Sequence, residues 1–504
     1  MRILTADEIR LVEQRAFDGE FTEAGLMLRA GTACFKKIIR GRMDALKAGR
    51  TAVVCGNGKN AGDGFVIAKL LKEQGVDASI ILADKMPEIA EPKIYFDDAV
   101  KSDVKIFSLS EYDFSSADFI VDCLFGIGFH DYPKAPFDSA INMINSSNAF
   151  VISIDTPSGT NADNGEAQLA VKADLTIAIS TLKFAHVLPP ANSFCGDVTT
   201  VNIGIPDACY DSDDKYSHTI TKADVKKFFP ERDKNSHKGS FGHQLNICGS
   251  YLMPGAAVIC AEAGLKTGAG LVKCAFPKSI YPVMTSHMCQ TVFKPLCENE
   301  DKTMSMGSIN DIFDELKWAD SVVIGCGIGN NDDTQVITGQ VIKNSEVPIV
   351  LDADGINAAA PFIDILKDRK APLVITPHPA EMSRLMGDNV EYIQSNRISS
   401  AKNFAKKNDV IVVLKGANTV VTDGVSVFVN TTGNAGMAMG GTGDMLSGMI
   451  GSFIAQGLTP FDAAKAGVYI HGLCGDICAE ELSQRGMTVE DMLSLLGALM
   501  SEFE

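Results

Sequence analysis

At 504 residues, 46% of them hydrophobic and 21% charged, the chain is too long for a single hydrophobic core and too apolar to be disordered. A formal net charge of -18 argues against duplex nucleic acid and anionic membrane surfaces as partners and leaves room only for local basic pockets. No apolar run is long enough to span a bilayer, and MRILTADEIR lacks the apolar centre of a signal peptide, so a cytoplasmic protein is expected. The thirteen cysteines are scattered singly with no CxxC pair, which suits reduced core thiols better than disulfides or zinc.

In chain order, Thr5 and Glu8 have the spacing of a capping box that opens a helix running through Leu11 and Val12. Strands are predicted at 51–55, 78–82, 119–124, 150–154, 175–179 and 198–203. Their unbroken hydrophobicity points to burial on both faces of a mainly parallel sheet, and hence to an α/β fold. After the first strand comes Gly56-Asn-Gly-Lys-Asn-Ala-Gly-Asp-Gly64, followed by a helical run from Phe65. Strand, glycine loop and helix make an anion site on geometric grounds, although the loop is neither a Walker sequence nor a clean GxGxxG. A tight connection whose glycines only permit close packing is the alternative.

Asp122-Cys-Leu-Phe-Gly-Ile-Gly128 and Asp155-Thr-Pro-Ser-Gly159 end two further strands, at the carboxyl edge where α/β sheets hold ligands. Either aspartate could line a cleft or simply satisfy a turn. Asn60, Asp122 and Ser158 offer hard oxygens of low formal charge, suited to a monovalent cation more than to zinc. Lys183 and His186 follow the next strand with no signal beyond that of ordinary loop residues, and are not assigned to the site.

GNGKNAGDG, DCLFGIGF and SIDTPSG, in this order and spacing, resemble the N-terminal epimerase domain of the bifunctional NAD(P)H-hydrate repair enzymes, over roughly residues 1–215. The resemblance implies a Rossmann-like three-layer sandwich with potassium held by Asn60, Asp122 and Ser158. It implies that two loops touch the hydrated nucleotide, one through Lys59, Asn60, Ala61, Gly62 and Asp63, the other through Gly126, Ile127, Gly128 and Phe129. Asp155 becomes the acid/base for inversion at C6. The family's first loop reads closer to GNNGGDG. Here Lys59 would add a phosphate contact, and Ala61 demands a negative φ or some strain.

Between residues 205 and 240 the sequence turns acidic and polar, and a division at 217/218 is expected. Strands are then predicted at 244–248, 271–275, 321–325, 349–351, 373–376, 410–414, 419–422 and 425–429. Met253-Pro-Gly-Ala-Ala-Val258 leads into a small-residue helix at 261–267, and Gly325-Cys-Gly-Ile-Gly329 follows a strand. Prolines on both sides of His378 fix the backbone and so the imidazole, which favours a binding role over a structural one. Lys415-Gly-Ala-Asn-Thr419 suits a nucleotide phosphate, or is a plain turn with a solvent-facing lysine. Last comes Asn434-Ala-Gly-Met-Ala-Met-Gly-Gly-Thr-Gly-Asp444, running into an amphipathic helix. A glycine turn at a helix start suits phosphate, and Asp444 either takes a substrate proton, holds a metal or merely caps the helix.

The ordered motifs KGSFGHQLNICGSYLMPGAA, GCGIGNN, LDADGINA, ITPHPAEMSRL, VVLKGANTVVTDG and NAGMAMGGTGDMLSGMI are similar to the dehydratase domain of the same enzymes, over roughly residues 225–504. That resemblance implies a ribokinase-like fold, with Ala256, Gly327, His378 and Asp444 on the hydrate. Lys415, Gly416, Ala417, Asn418, Thr419 and Gly443 would hold ADP, and Mg²⁺ would screen the phosphates. Ala380 departs from the family's usual HPGE. The implied substrates are the hydrates of NADH and NADPH (NADHX and NADPHX), and a homo-oligomer is expected. Phosphorylating the C6 hydroxyl turns a poor leaving group into phosphate, giving the restored cofactor, AMP and phosphate. A ribokinase-like vitamin kinase with an N-terminal binding module is the rival reading, since GGTGD also occurs there. So is an N-terminal domain that has lost catalysis, against which Asn60, Asp122, Asp155 and Ser158 argue.

Overall fold

The structure is a computed structural model that describes every residue except Pro87, and only the backbone of Asp214. It divides into two compact units, Met1–Ser217 and His218–Glu504.

The strands of the first unit are β1 (Arg2–Ile3), β2 (Arg50–Cys55), β3 (Asp77–Leu82), β4 (Lys105–Ser108), β5 (Phe119–Cys123), β6 (Phe150–Ile154), β7 (Leu175–Ile179) and β8 (Asp197–Val201). Seven of them form a parallel sheet in the order β4-β3-β2-β5-β6-β7-β8. Along β2, Val53 and Cys55 point into one core and Ala52 and Val54 into the other, so both faces are covered. That is why its sequence reads as one apolar run instead of an alternation. The chain order reverses between β2 and β5, and an α/β sheet opens a crevice at the carboxyl ends of such a pair.

The helix Glu23–Ile39 packs on the helix Lys59–Glu73. Gly31 permits this approach, because a methyl there would lie 2.6 Å from Val66 Cβ. Thr5 and Glu8 form the predicted capping box of the helix Ala6–Phe17. The strand β4 was not predicted: it is four residues long, at the sheet edge, and only partly covered.

In the second unit β9 (Ser217–Thr219) crosses the boundary. It is followed by β10 (His243–Ile247), β11 (Leu271–Pro277), β12 (Val292–Leu296), β13 (Ser321–Ile324), β14 (Ile349–Leu351), β15 (Leu373–Ile375), β16 (Ile411–Leu414), β17 (Val420–Thr422) and β18 (Val427–Val429). Their order is β9-β18-β17-β16-β15-β14-β13-β10-β11-β12. The run from β16 to β12 is parallel, while β17 turns back on β16 and β18 on β17.

One apolar core lies on each face of this sheet. Into the first the helix Thr442–Ala455 sends an unbroken buried run from Met445 to Ala455. It crosses the helix Pro254–Lys266 at Gly448, where a methyl would meet the Cys260 carbonyl oxygen at 2.2 Å. The unpredicted β12 is another edge strand and contains Pro295, which removes one ladder donor. None of the described helices is long and apolar enough to cross a membrane.

Candidate active sites

A cavity of about 580 Å³ lies at the carboxyl ends of β2, β5, β6 and β7. Its walls include Gly58, Lys59, Asn60 and Asp63 after β2, Phe125 to Phe129 after β5, Asp155 after β6, and Thr181 and Lys183 after β7. Asp155 takes φ 68, a conformation few residues adopt but aspartate tolerates. Its Oδ1 accepts the Ile179 N–H at 3.1 Å and a short hydrogen bond from the Lys183 ammonium. Lys183 is 1% exposed and also donates to the carbonyls of Ile179 (2.8 Å) and Thr181 (3.2 Å). His186 accepts the Lys183 N–H through Nδ1 at 3.0 Å, so Nε2 carries the proton given to the Asp155 carbonyl at 2.7 Å. Burial and the neighbouring Lys183 charge push that imidazole down to about 4, so it stays neutral.

Beneath the cavity Asp122 is fully buried. Its two oxygens take the Ser158 hydroxyl (2.6 Å), the Ser158 N–H (2.9 Å), the Ser153 hydroxyl (2.8 Å) and the Leu124 N–H (3.2 Å). Asn60 donates Nδ2 to the carbonyls of Phe125 (2.7 Å) and Ile154 (3.1 Å), while its Oδ1 is buried without a hydrogen-bond partner. Burial, then the Asp155 charge, lifts the Asp63 carboxyl well above its usual range. The rings of Phe125 and Phe129 stack at 4.4 Å on one wall.

In the second unit the chemistry gathers where β13, β14, β15 and β16 end. Asp352, directly after β14, is 1% exposed and accepts the Lys415 ammonium (2.7 Å), the Thr376 hydroxyl (2.7 Å) and the Ser447 hydroxyl (2.8 Å). Burial alone would raise this carboxyl; the Lys415 charge and these donors hold it below its usual range. A methyl built on Gly443 would meet the Lys415 Nζ at 3.4 Å, so the ammonium sits against the first turn of the helix Thr442–Ala455. Asp444 is the third residue of that helix. Its carboxylate, the Cys326 sulfur and Asp352 present ligand atoms within 4.8 Å of one another. Burial first, then Cys326 and Asp352, push Asp444 up to about 10.

His378 caps the helix Pro379–Met386: Nδ1 accepts the N–H groups of Ala380 (3.1 Å) and Glu381 (3.2 Å). Nε2 therefore carries the proton and faces Glu381 Oε1 at 3.3 Å. Glu381 returns the cap by accepting the His378 N–H at 2.7 Å, and burial pushes its carboxyl up to about 7. It lies 4.0 Å from the Lys415 ammonium, so one polar network runs from His378 to Ser447.

The NAD(P)H-hydrate dehydratase family model matches residues 245–496, and the YjeF-related protein N-terminus model matches residues 23–185. A bifunctional NAD(P)H-hydrate repair enzyme from Thermofilum pendens is 31% identical over 100% of this chain and 98% of its own length. Another from Coxiella burnetii is 33% identical over 98% of both chains. The chain belongs to the bifunctional NAD(P)H-hydrate repair enzymes. Its second unit is similar to the ADP/ATP-dependent NAD(P)H-hydrate dehydratase of Bacillus subtilis, co-crystallised with ATP and Mg²⁺, at 27% identity and a TM-score of 0.50 over 57% of this chain and 99% of that one. A ribokinase-like superfamily protein from Enterococcus faecalis shares the fold, at 24% identity and a TM-score of 0.51 over 57% of this chain and 96% of that one. The repair-enzyme reading of both halves stands, and the vitamin-kinase reading is the weaker one.

Against this family background the residues singled out by sequence fall unevenly. In the first unit Lys59, Asn60, Asp63, Gly126, Ile127, Gly128, Phe129 and Asp155 line the cavity. Ala61 and Gly62 lie behind it, buried in the helix, with Gly62 against the Met27 sulfur. The glycine stretch is not a loop as expected: the helix begins at Lys59, and Ala61 has an ordinary negative φ without strain. The Lys59 ammonium pairs with Glu23. The helix after Met253 likewise starts earlier than expected, at Pro254.

In the second unit Ala256 and Gly327 meet, since a methyl on Gly327 would lie 2.8 Å from the Ala256 Cβ. The 415–419 turn is tight, with Gly416 at φ 144 and Asn418 at φ 57, and the Thr419 hydroxyl donates to the Gly416 carbonyl at 3.2 Å. Lys415 does not face solvent: its side chain is 20% exposed and ion-paired. Asp444 makes no cap hydrogen bond; Gly441, at φ 94, stands at that position. Sequence reasoning passed over Lys183, Asp352 and Glu381. For Asp352 a usable signal existed, an acid directly after a buried strand, as at Asp122.

Proposed function

We propose that the chain repairs hydrated nicotinamide dinucleotides in two steps, interconverting the C6 epimers in the first unit and removing water with ADP as phosphoryl donor in the second. The reading rests on one observation: the Lys415 ammonium sits against Gly443, and the Asp444 carboxyl stands at the next residue, in the first turn of a single helix. That turn offers unpaired N–H groups and a positive dipole end to a phosphate.

Dehydration needs the C6 hydroxyl to lose its proton and gain a phosphoryl group. Asp444 accepts the proton, and its high affinity for protons makes it a strong base once it is ionised. Lys415, held by Asp352, faces the transferred phosphoryl together with the helix-start amides, and donors fixed in advance stabilise the charge that develops there. The 415–419 turn and Gly443 bind the nucleotide, and Ala256, Gly327 and His378 contact the hydrate. Bound Mg²⁺ would neutralise phosphate charge, and the carboxyl-rich surroundings of Lys415 suit it. Phosphate then leaves as the ring nitrogen donates its electron pair, and loss of a proton from C5 to the departing phosphate or to solvent restores the 5,6 double bond of the reduced ring.

In the first unit both donors to Asp155 reach Oδ1, leaving Oδ2 to exchange a proton with the substrate. The hydroxyl and the ring nitrogen share C6, so loss of the hydroxyl proton lets the C6–N bond open, and reclosure on the other face inverts the centre. The stacked Phe125 and Phe129 give a flat ring an apolar wall. Asn60, Asp122 and Ser158 suit potassium: they offer hard oxygens of low formal charge, and the buried Asn60 Oδ1 has no hydrogen-bond partner. The ion would fix the loop after β5 against the one after β6.

The test is to give the purified chain mixed hydrate epimers, ADP and Mg²⁺, with ATP in a parallel reaction. Both epimers should be consumed, with reduced-nicotinamide absorbance restored and AMP and phosphate formed in equal amounts. A stable phosphorylated product would identify a kinase instead.

A further inference from the structure

Cys248, Cys260 and Cys326 are far apart in sequence and come from three different elements. Cys248 follows β10, Cys260 lies within the helix Pro254–Lys266, and Cys326 sits in the glycine loop after β13. Their sulfurs lie within 4.8 Å of one another, and all three residues are buried. Cys326 belongs to a second cluster as well, with Asp352 and Asp444. Packing alone asks only for small apolar groups here. Convergence of three sulfurs beside a carboxyl is instead the ligand set of a soft or borderline cation.

We propose that Cys248, Cys260 and Cys326 form a site for a thiophilic cation of the zinc class, with Asp444 beside its open coordination position. Zinc–sulfur bonds of about 2.3 Å place tetrahedrally arranged sulfurs roughly 3.8 Å apart. Closing from the observed spacing asks for movement of about 1 Å or less at any pair, within the reach of side-chain rotation. Each thiol that binds gives its proton to solvent, so loading releases up to three protons and forms metal–sulfur bonds without any change of oxidation state. Thiolates select zinc or cuprous ions over magnesium and potassium, so the site does not compete for the hard cations of the proposed reactions. A further consequence rests on the dehydratase reading of Asp444: a cation held there draws in the carboxylate that must accept the hydroxyl proton. Zinc then inhibits dehydration and leaves epimerisation untouched.

The experiment titrates the reduced full-length protein with Co²⁺, reading sulfur-to-cobalt charge-transfer absorption, and with Zn²⁺, reading dehydration. The wild type should take one equivalent of cobalt with thiolate absorption. Cys260→Ala should lose that absorption, keep its metal-free dehydration rate and become at least tenfold less sensitive to zinc. Exposed Cys289 and Cys297, changed together to serine, should alter neither result. Should Cys260→Ala fold poorly, Cys260→Ser, which keeps the side-chain size, replaces it. Absence of cobalt–thiolate absorption in the wild type would mean core packing only and overturns the site, whatever the dehydration assay gives. Equal cobalt absorption in wild type and Cys260→Ala overturns it too. Cobalt bound through the three cysteines with no zinc inhibition upholds the site and counts instead against the role of Asp444.

Discussion

Both sites set a lysine beside an acid at the end of a parallel strand, but they use the pairing differently. In the first unit Lys183 holds Asp155, the proposed acid/base itself, so the reacting group is an ion-paired carboxylate. In the second, Lys415 holds Asp352, and Asp444 is left beside it without an ion-pair partner, pushed up to about 10. One arrangement keeps a carboxylate tethered for repeated proton exchange. The other holds a base of high proton affinity in reserve, to be ionised when a phosphoryl donor and its cation arrive.

The sharpest way to break this contrast is to remove the reserve base. Asp444→Asn should lower dehydration by about 10⁴-fold, the upper range for a general base, while epimer exchange followed by chromatography stays at the wild-type rate. Dehydration kcat/KM of the wild type should rise with pH through the neutral range, because only the ionised fraction of Asp444 is competent. A flat profile combined with an active Asp444→Asn protein would end the proposed role.

Next in size is the cost of unpairing Asp352. Lys415→Met leaves a carboxylate of 1% exposure with no cation, and loss of one partner of a buried pair costs about 3–5 kcal/mol. Denaturant melts should show that loss, and Asp352→Asn combined with Lys415→Met should recover a large part of it. If the double variant is no better than the single one, the pair is not what holds Lys415 in place.

A smaller effect is expected in the first unit. Asp155→Asn should slow epimer exchange by about 10²-fold or more and leave dehydration of the reactive epimer unchanged. Recovery from a mixed pool should then stop at the fraction that epimer represents. Lys183→Met should also slow exchange, since the carboxylate loses its tether; an unaffected rate would reduce the lysine to a structural role.

Much of this was readable from residues, and the failures have physical causes. Strands buried on both faces announced themselves as unbroken apolar runs, whereas β4 and β12 lie at sheet edges where partial cover demands no such pattern. The helix starting at Lys59 was misplaced because Asn60, Gly62, Asp63 and Gly64 are poor helix formers taken singly. Tertiary contact overrides propensity there: Gly62 packs on Met27 and Gly64 on Cys55 and Cys123. Asp155 and Asp444 stood out beside glycine turns. Lys183 did not, because only folding brings the loop after β7 against Asp155 at the carboxyl end of β6. Likewise no sequence spacing connects Cys248, Cys260 and Cys326.

The finest test of the contrast is a stability measurement on Asp444→Asn. The folded value of about 10 lies above the ordinary 3.8 of an unfolded aspartate. The stability linked to this proton is therefore complete below the unfolded value and is lost as pH rises toward the folded one. Asparagine imitates the protonated form and carries no such loss. The variant should match the wild type near pH ~4 and become more stable as pH rises, by about 1 kcal/mol or more at alkaline pH, or roughly 2–4 °C in Tm. Asp155→Asn should instead lose stability, because it leaves the buried Lys183 cation without its partner. If calorimetry finds the Asp444→Asn advantage constant across pH, the carboxyl is already ionised in the resting protein. The contrast between the two sites then lies in their partners, Lys183 on Asp155 and Lys415 on Asp352, and not in a reserve of proton affinity at Asp444.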